Sequence, residues 1–158
     1  MKKLIMFLAA TALLSSPAWA QQETGDVSKY IELLRSDVRN SRTEIVTEAL
    51  NLAEPQSTAF WPIYREYEKE MAALGDKRIA LIKQYAANYD SMTDKMAKDL
   101  ANQAFKINGD RLNILKKYYG KVEKVLQPKL AARWAQVENA MNALIDVQVA
   151  SELPLMKK

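Results

Sequence analysis

The chain contains no cysteine and no histidine, and only four glycines among its 158 residues. Without either residue type it lacks the usual thiol nucleophile, the usual general base and the usual transition-metal ligands. No disulfide framework and no lipid-modified cysteine are possible. The glycines (Gly25, Gly75, Gly109, Gly120) are too far apart to form a phosphate-cradling loop. Carboxylates remain, but they are spread as on solvated helix faces rather than clustered, as an active site needs. These absences exclude most enzyme classes, and the chain reads as a non-enzymatic protein without a cofactor.

The chain opens MKKLIMFLAATALLSSPAWA. Lys2 and Lys3 form a positive start, Leu4 to Leu14 is an apolar run too short to span a bilayer, and Ala18-Trp19-Ala20 places small residues where a signal peptidase reads. Residues 1–20 are expected to be a secretory signal peptide, cut between Ala20 and Gln21. Loss of the two lysines lowers the net charge from +4 to +2, since the chain carries 23 basic and 19 acidic residues. Nucleic-acid binding loses support from both charge and compartment. Residues 21–158 have the length of one domain, soluble and exported.

Strand signals are absent, and apolar residues recur at three- and four-residue steps. Val27, Ile31, Leu34, Val38, Ile45 and Ala49 mark a first helix, capped by Asp26 or Ser28. Phe60, Tyr64, Tyr67, Met71, Leu74, Leu81, Tyr85 and Tyr89 mark a long second one. Ser91 or Thr93 caps a third, carrying Leu100, Ala104, Ile107, Leu115, Tyr118, Val122 and Val125. Pro128 suits the first turn of a fourth, with Leu130, Trp134, Val137, Met141 and Leu144. A tail from about Ser151, containing Pro154, is expected to fray. The predicted fold is all-α: four helices, with the second and third as a long antiparallel hairpin.

Two hairpin registers fit. Facing residue numbers that sum to 189 pair Tyr85 with Ala104 and Tyr67 with Val122; a sum of 182 gives a tighter turn. In the first register Arg78 meets Arg111, and Asp76 or Asp110, or an edge open to water, would have to relieve the repulsion.

The stretch LNLAEPQSTAFWPIYREYE (Asn51–Glu68) holds two prolines inside an otherwise helical pattern. With Ala53 at the N-cap, Pro55 falls in the first turn, where a missing N–H costs nothing, and Gln56 can reach back to the cap N–H. Pro62 removes the bond to the Thr58 carbonyl and should bend the helix near its start. A related pattern, Val125-Leu126-Gln127-Pro128-Lys129-Leu130 followed by Trp134, precedes the fourth helix.

These two helix starts resemble the paired LTxxQ motifs of the Spy/CpxP family of small periplasmic stress proteins. Leu52 and Gln56, with Phe60 following, look like the first copy; Leu126 and Pro128, with Trp134 following, look like the second. The motif threonine is Ala53 in one copy and Gln127 in the other, and the second glutamine is Leu130. The resemblance implies a cradle-shaped homodimer in the Gram-negative periplasm. Spy-like members bind unfolding envelope proteins without nucleotide, CpxP-like members damp a membrane sensor, and others answer metal stress. The metal branch fits poorly without histidine or cysteine, and Met92 and Met96 read as hairpin packing.

A client-holding surface combines apolar area with charge. Arg35, Arg39 and Arg42 form a basic stripe beside Leu34 and Val38, with no acidic residue four positions away to pair Arg35 or Arg39. Lys116, Lys117, Lys121 and Lys124 add a basic band on the third helix. Either set could be an ordinary solvated face. Trp61 and Trp134, at helix starts, read as anchors of the core or of a dimer interface. The sequence leaves open a chaperone-like holdase, a regulator of an envelope sensor, and a structural dimer.

Overall fold

The computed structural model describes residues 37–157, with side chains from residue 41 onward. The segment expected to be a signal peptide, with Ala20 and Gln21, and the positions Val27, Ile31, Leu34 and Arg35, lie outside the described residues, as do the side chains of Val38 and Arg39. Four α-helices make up the described chain: α1 (Asp37–Leu50), α2 (Glu54–Ala87), α3 (Asp94–Val125) and α4 (Pro128–Glu152). A short 3-10 turn, Tyr89–Ser91, joins α2 to α3.

Each boundary has a local cause. Asn51 takes φ 43° to end α1, a left-handed conformation that asparagine tolerates better than most residues. Its N–H bonds to the Thr47 carbonyl at 3.0 Å. Ala53 is the extended N-cap of α2, and Pro55 sits in the first turn as expected; α2 then runs without a break through Pro62. No side chain caps this end, so the expected Gln56 reach-back is not formed. The Asn88 side chain donates to the Gln84 carbonyl (2.7 Å) at the far end of α2. Thr93, rather than Ser91, caps α3 by accepting from the Met96 N–H at 3.3 Å. Pro128 opens α4 behind Gln127.

The polar pairs across the α2–α3 hairpin lie nearer the register of sum 189, while the Tyr67–Tyr118 ring contact, sum 185, falls between the two registers. Glu70 accepts from Lys117 (2.6 Å) and Tyr118 (2.9 Å), and Glu66 accepts from Lys121 (2.7 Å). These pairs sum to 187 or 188, within two of 189 and five or more from 182. Arg78 and Arg111 do meet, and Asp110 is taken up by Lys106 rather than bridging them. Asp146 of α4 bridges them: Arg111 donates to its Oδ2 at 2.7 Å, and Arg78 Nη1 lies 2.8 Å from its Oδ1.

Helix α4 packs on α3 and on α1, which runs antiparallel to it. One cluster joins Val46 and Leu50 of α1, Phe60, Tyr64 and Tyr67 of α2, Tyr118 and Val122 of α3, and Trp134 and Met141 of α4. Its rings meet edge-on, Tyr67 and Trp134 at 5.2 Å and Tyr67 and Tyr118 at 5.6 Å between centroids. A smaller cluster of Ile82 and Val149, with Ile145 and Leu153, closes the hairpin end.

Two stripes are rotated from the expected faces. In α1 Val46 and Leu50 are buried, while Ile45 is exposed. Arg42, Val46 and Leu50 repeat every four residues, and Arg42 faces α4, which turns Ile45 outward. In α4 Leu144 is exposed, because Glu138 and Asn142 take places on the inward face. The tail expected to fray is docked: α4 runs to Glu152, and Pro154 and Leu155 accept hydrogen bonds from the hairpin.

Candidate functional site

The buried centre of the molecule is polar. Glu138 is fully buried, one turn after Trp134 and one before Asn142. Arg42 donates to its Oε2 at 2.9 Å, Tyr67 to the same oxygen at 2.9 Å, and Tyr64 to Oε1 at 3.2 Å. The second guanidinium nitrogen of Arg42 donates to Asn142. Burial raises the Glu138 pKa, while Arg42 and the two tyrosine hydroxyls pull the other way. Burial, reinforced by the Glu138 charge, also raises Tyr64 and Tyr67, so both remain protonated donors. The knot ties α1, α2 and α4 together.

Arg42 therefore does not belong to a solvated binding stripe. Its guanidinium pairs with a carboxylate 96 residues away, because Glu138 would otherwise lie in the core without a counter-charge. Val38 and Arg39 are placed only as backbone in α1. Lys117 and Lys121 of the basic band are hairpin braces to Glu70 and Glu66. Lys116 and Lys124 are exposed.

The motif residues are structural. Leu126 is buried, Leu52 and Gln56 are half-buried, and Pro128 is exposed at the first position of α4. Phe60 and Trp134, which follow the two motifs, meet edge-on with centroids 6.3 Å apart. The two helix starts thus share one core. Trp61 packs against that core, and its indole N–H donates to Ser57 Oγ at 3.1 Å.

Three features face solvent. A groove of about 170 Å³ is lined by Met71, Leu74, Ile107 and Ile145, by Arg78 and Arg111, and by Arg42 and Asn142 of the buried knot. Phe105 (71% exposed) and Leu112 (64%) stand seven apart on α3, and Leu144 (71%) and Val147 (69%) stand three apart on α4. At the hairpin tip, Tyr85 and Tyr89 reach the tail. Among the described residues no group of three or more carboxylates could hold a metal ion, and no helix is long and apolar enough to cross a membrane.

Sequence reasoning missed Glu138, although an acidic residue inside the stripe Trp134, Val137, Met141 is itself a signal. It missed the tail contacts because nothing in the local pattern announces them. The chain matches no known family model, no curated protein and no solved structure.

Proposed function

We propose that this chain binds unfolding or partly folded proteins of the bacterial envelope without nucleotide, as a chaperone-like periplasmic protein working as a homodimer. The observation that carries the reading is the set of large apolar side chains left in water on two outer faces, Phe105 and Leu112 on α3 and Leu144 and Val147 on α4. Apolar side chains grouped on an exposed face point to interaction with another macromolecule. Lys98 and Lys116, one turn or two from Phe105 and Leu112, are exposed cations beside them. Apolar contact supplies affinity, and charge supplies fast, reversible encounter. The export signal and the paired helix-start motifs agree with this reading from the sequence side.

The test is suppression of aggregation of a chemically denatured, unrelated protein at near-equal ratio. The parent should suppress it, and a Phe105→Ser/Leu112→Ser variant of unchanged helicity should lose much of that ability. Equal suppression by the two, or none by the parent, would refute the reading. In-cell crosslinking that returns a single dominant membrane sensor would favour the regulatory alternative instead.

A further inference from the structure

The tail of the chain is held at the hairpin tip through two of its main-chain carbonyls and through Lys157. Tyr85 and Tyr89 lie one turn apart at the end of the hairpin, their rings edge-on with centroids 5.8 Å apart. The Tyr85 hydroxyl donates to the Pro154 carbonyl at 2.7 Å, and the Tyr89 hydroxyl donates to the Leu155 carbonyl at 3.0 Å. Two successive main-chain carbonyls are thus held by side chains of the hairpin. Leu155 is held by its carbonyl, and the residue as a whole is 91% exposed.

One tail side chain is read. Lys157 Nζ lies 2.6 Å from Asp90 Oδ1 and 5.2 Å from the centre of the Tyr89 ring. A cation over an aromatic face and beside a carboxylate is favoured twice. Leu153, which leaves α4 with extended backbone, packs against the Ile82–Val149 cluster and delivers the tail to the site.

Main-chain carbonyls are common to every unfolded polypeptide, so two phenolic donors at fixed spacing recognise an extended segment of almost any sequence. We propose that Tyr85, Tyr89 and Asp90 form a binding site for an extended peptide with a basic residue two positions beyond its second bonded carbonyl, and that the chain's own tail occupies this site until such a segment displaces it. This deepens the protein-binding reading above and rests on it, naming a site and a ligand chemistry that the outer apolar faces do not supply. A tethered occupant competes at high effective concentration, so incoming segments must outbid it. The tail therefore sets a threshold for capture.

The experiment uses the full chain and a fluorescently labelled peptide, Ser-Glu-Leu-Pro-Leu-Met-Lys, which copies residues 151–157. Lys157→Glu sets two carboxylates against each other and weakens the tail's hold while leaving the site intact. This variant should bind the peptide about three- to tenfold more tightly than the parent, the range expected for losing one exposed ion pair and gaining a repulsion. Adding Tyr85→Phe and Tyr89→Phe keeps the rings and removes both donors, and the gain should vanish with far-UV helicity unchanged. A peptide ending in glutamate in place of lysine should bind more weakly than the lysine peptide, by a similar factor of about three- to tenfold. Equal affinity in the parent and Lys157→Glu, or binding indifferent to the hydroxyls, would overturn the site. Aggregation suppression is measured on the same variants. Suppression retained without peptide binding sinks the tip site alone, whereas peptide capture without suppression sinks the general reading and leaves the site standing.

Discussion

Arg42 Nη1 lies 2.9 Å from Glu138 Oε2, joining the first described helix to the last across 96 residues of sequence. Glu138 is fully buried and the Arg42 side chain is only 11% exposed. Removing one partner of such a pair leaves an uncompensated charge in the core, which costs far more than replacing both. Arg42→Met should lower unfolding stability by about 3–5 kcal/mol, and Arg42→Met combined with Glu138→Leu should recover most of that loss. Urea denaturation of the two variants and the parent measures it. A double variant as unstable as the single one would contradict a buried charge pair.

The same carboxyl predicts a pH dependence. Its pKa is higher in the folded chain than the ordinary value of 4.5, chiefly because burial penalises the anion. A raised folded pKa means that the native state holds the proton more tightly than the unfolded one. The stabilisation is therefore fully present below about pH 4.5 and is lost as pH climbs through the folded pKa. Relative to Glu138→Gln, the parent should lose stability as pH rises from that value toward neutrality. Arg42→Met should steepen the loss, since the guanidinium is what favours the anion. A parent that gains on the glutamine variant over this range would refute the assignment.

Asp146 is shared by Arg78 and Arg111, each about a quarter exposed. Asp146→Asn leaves two guanidinium groups facing each other across the hairpin, and should cost about 1 kcal/mol, less at high salt. Replacing Arg78 with Met in the same chain should return part of it. Thermal unfolding at two ionic strengths, analysed as a double-mutant cycle, gives the coupling. Zero coupling would mean that the three groups are not a unit.

The lysines of α3 divide by partner. Lys117 and Lys121 brace the hairpin to Glu70 and Glu66, so replacing both with Gln should lower stability modestly, by about 1 kcal/mol or less. Lys98 and Lys116 are exposed beside Phe105 and Leu112. Their replacement should leave stability unchanged, slow client association and flatten its salt dependence. Stopped-flow association rates across ionic strength compare the two pairs, and identical curves for all variants would reduce Lys98 and Lys116 to an ordinary solvated face.

Much of the architecture is local and so was legible in the residues. Helix starts at Pro55 and Pro128, the Thr93 cap and the three-to-four spacing of Phe60, Tyr64, Tyr67 and of Leu115, Tyr118, Val122 depend on neighbours within a turn or two. Those features point to four helices and a hairpin, whereas the meeting of Phe60 with Trp134 belongs to the tertiary packing. The rotation of α1 was not legible. Nothing within a turn of Arg42 shows that it faces inward, because its partner Glu138 is brought beside it only by the packing of α4. The arginine pair across the hairpin could be foreseen from register, but Asp146 could not, since its helix lies in a third layer. The docking of the tail has the same cause. Proline and lysine near a chain end read as fraying until the hydroxyls of Tyr85 and Tyr89 come within hydrogen-bond reach of the backbone there. Periodicity and capping act along the chain and determine which segments become helices. Buried charge pairing and main-chain recognition act across it, at ranges of 3 Å that only the tertiary structure brings about.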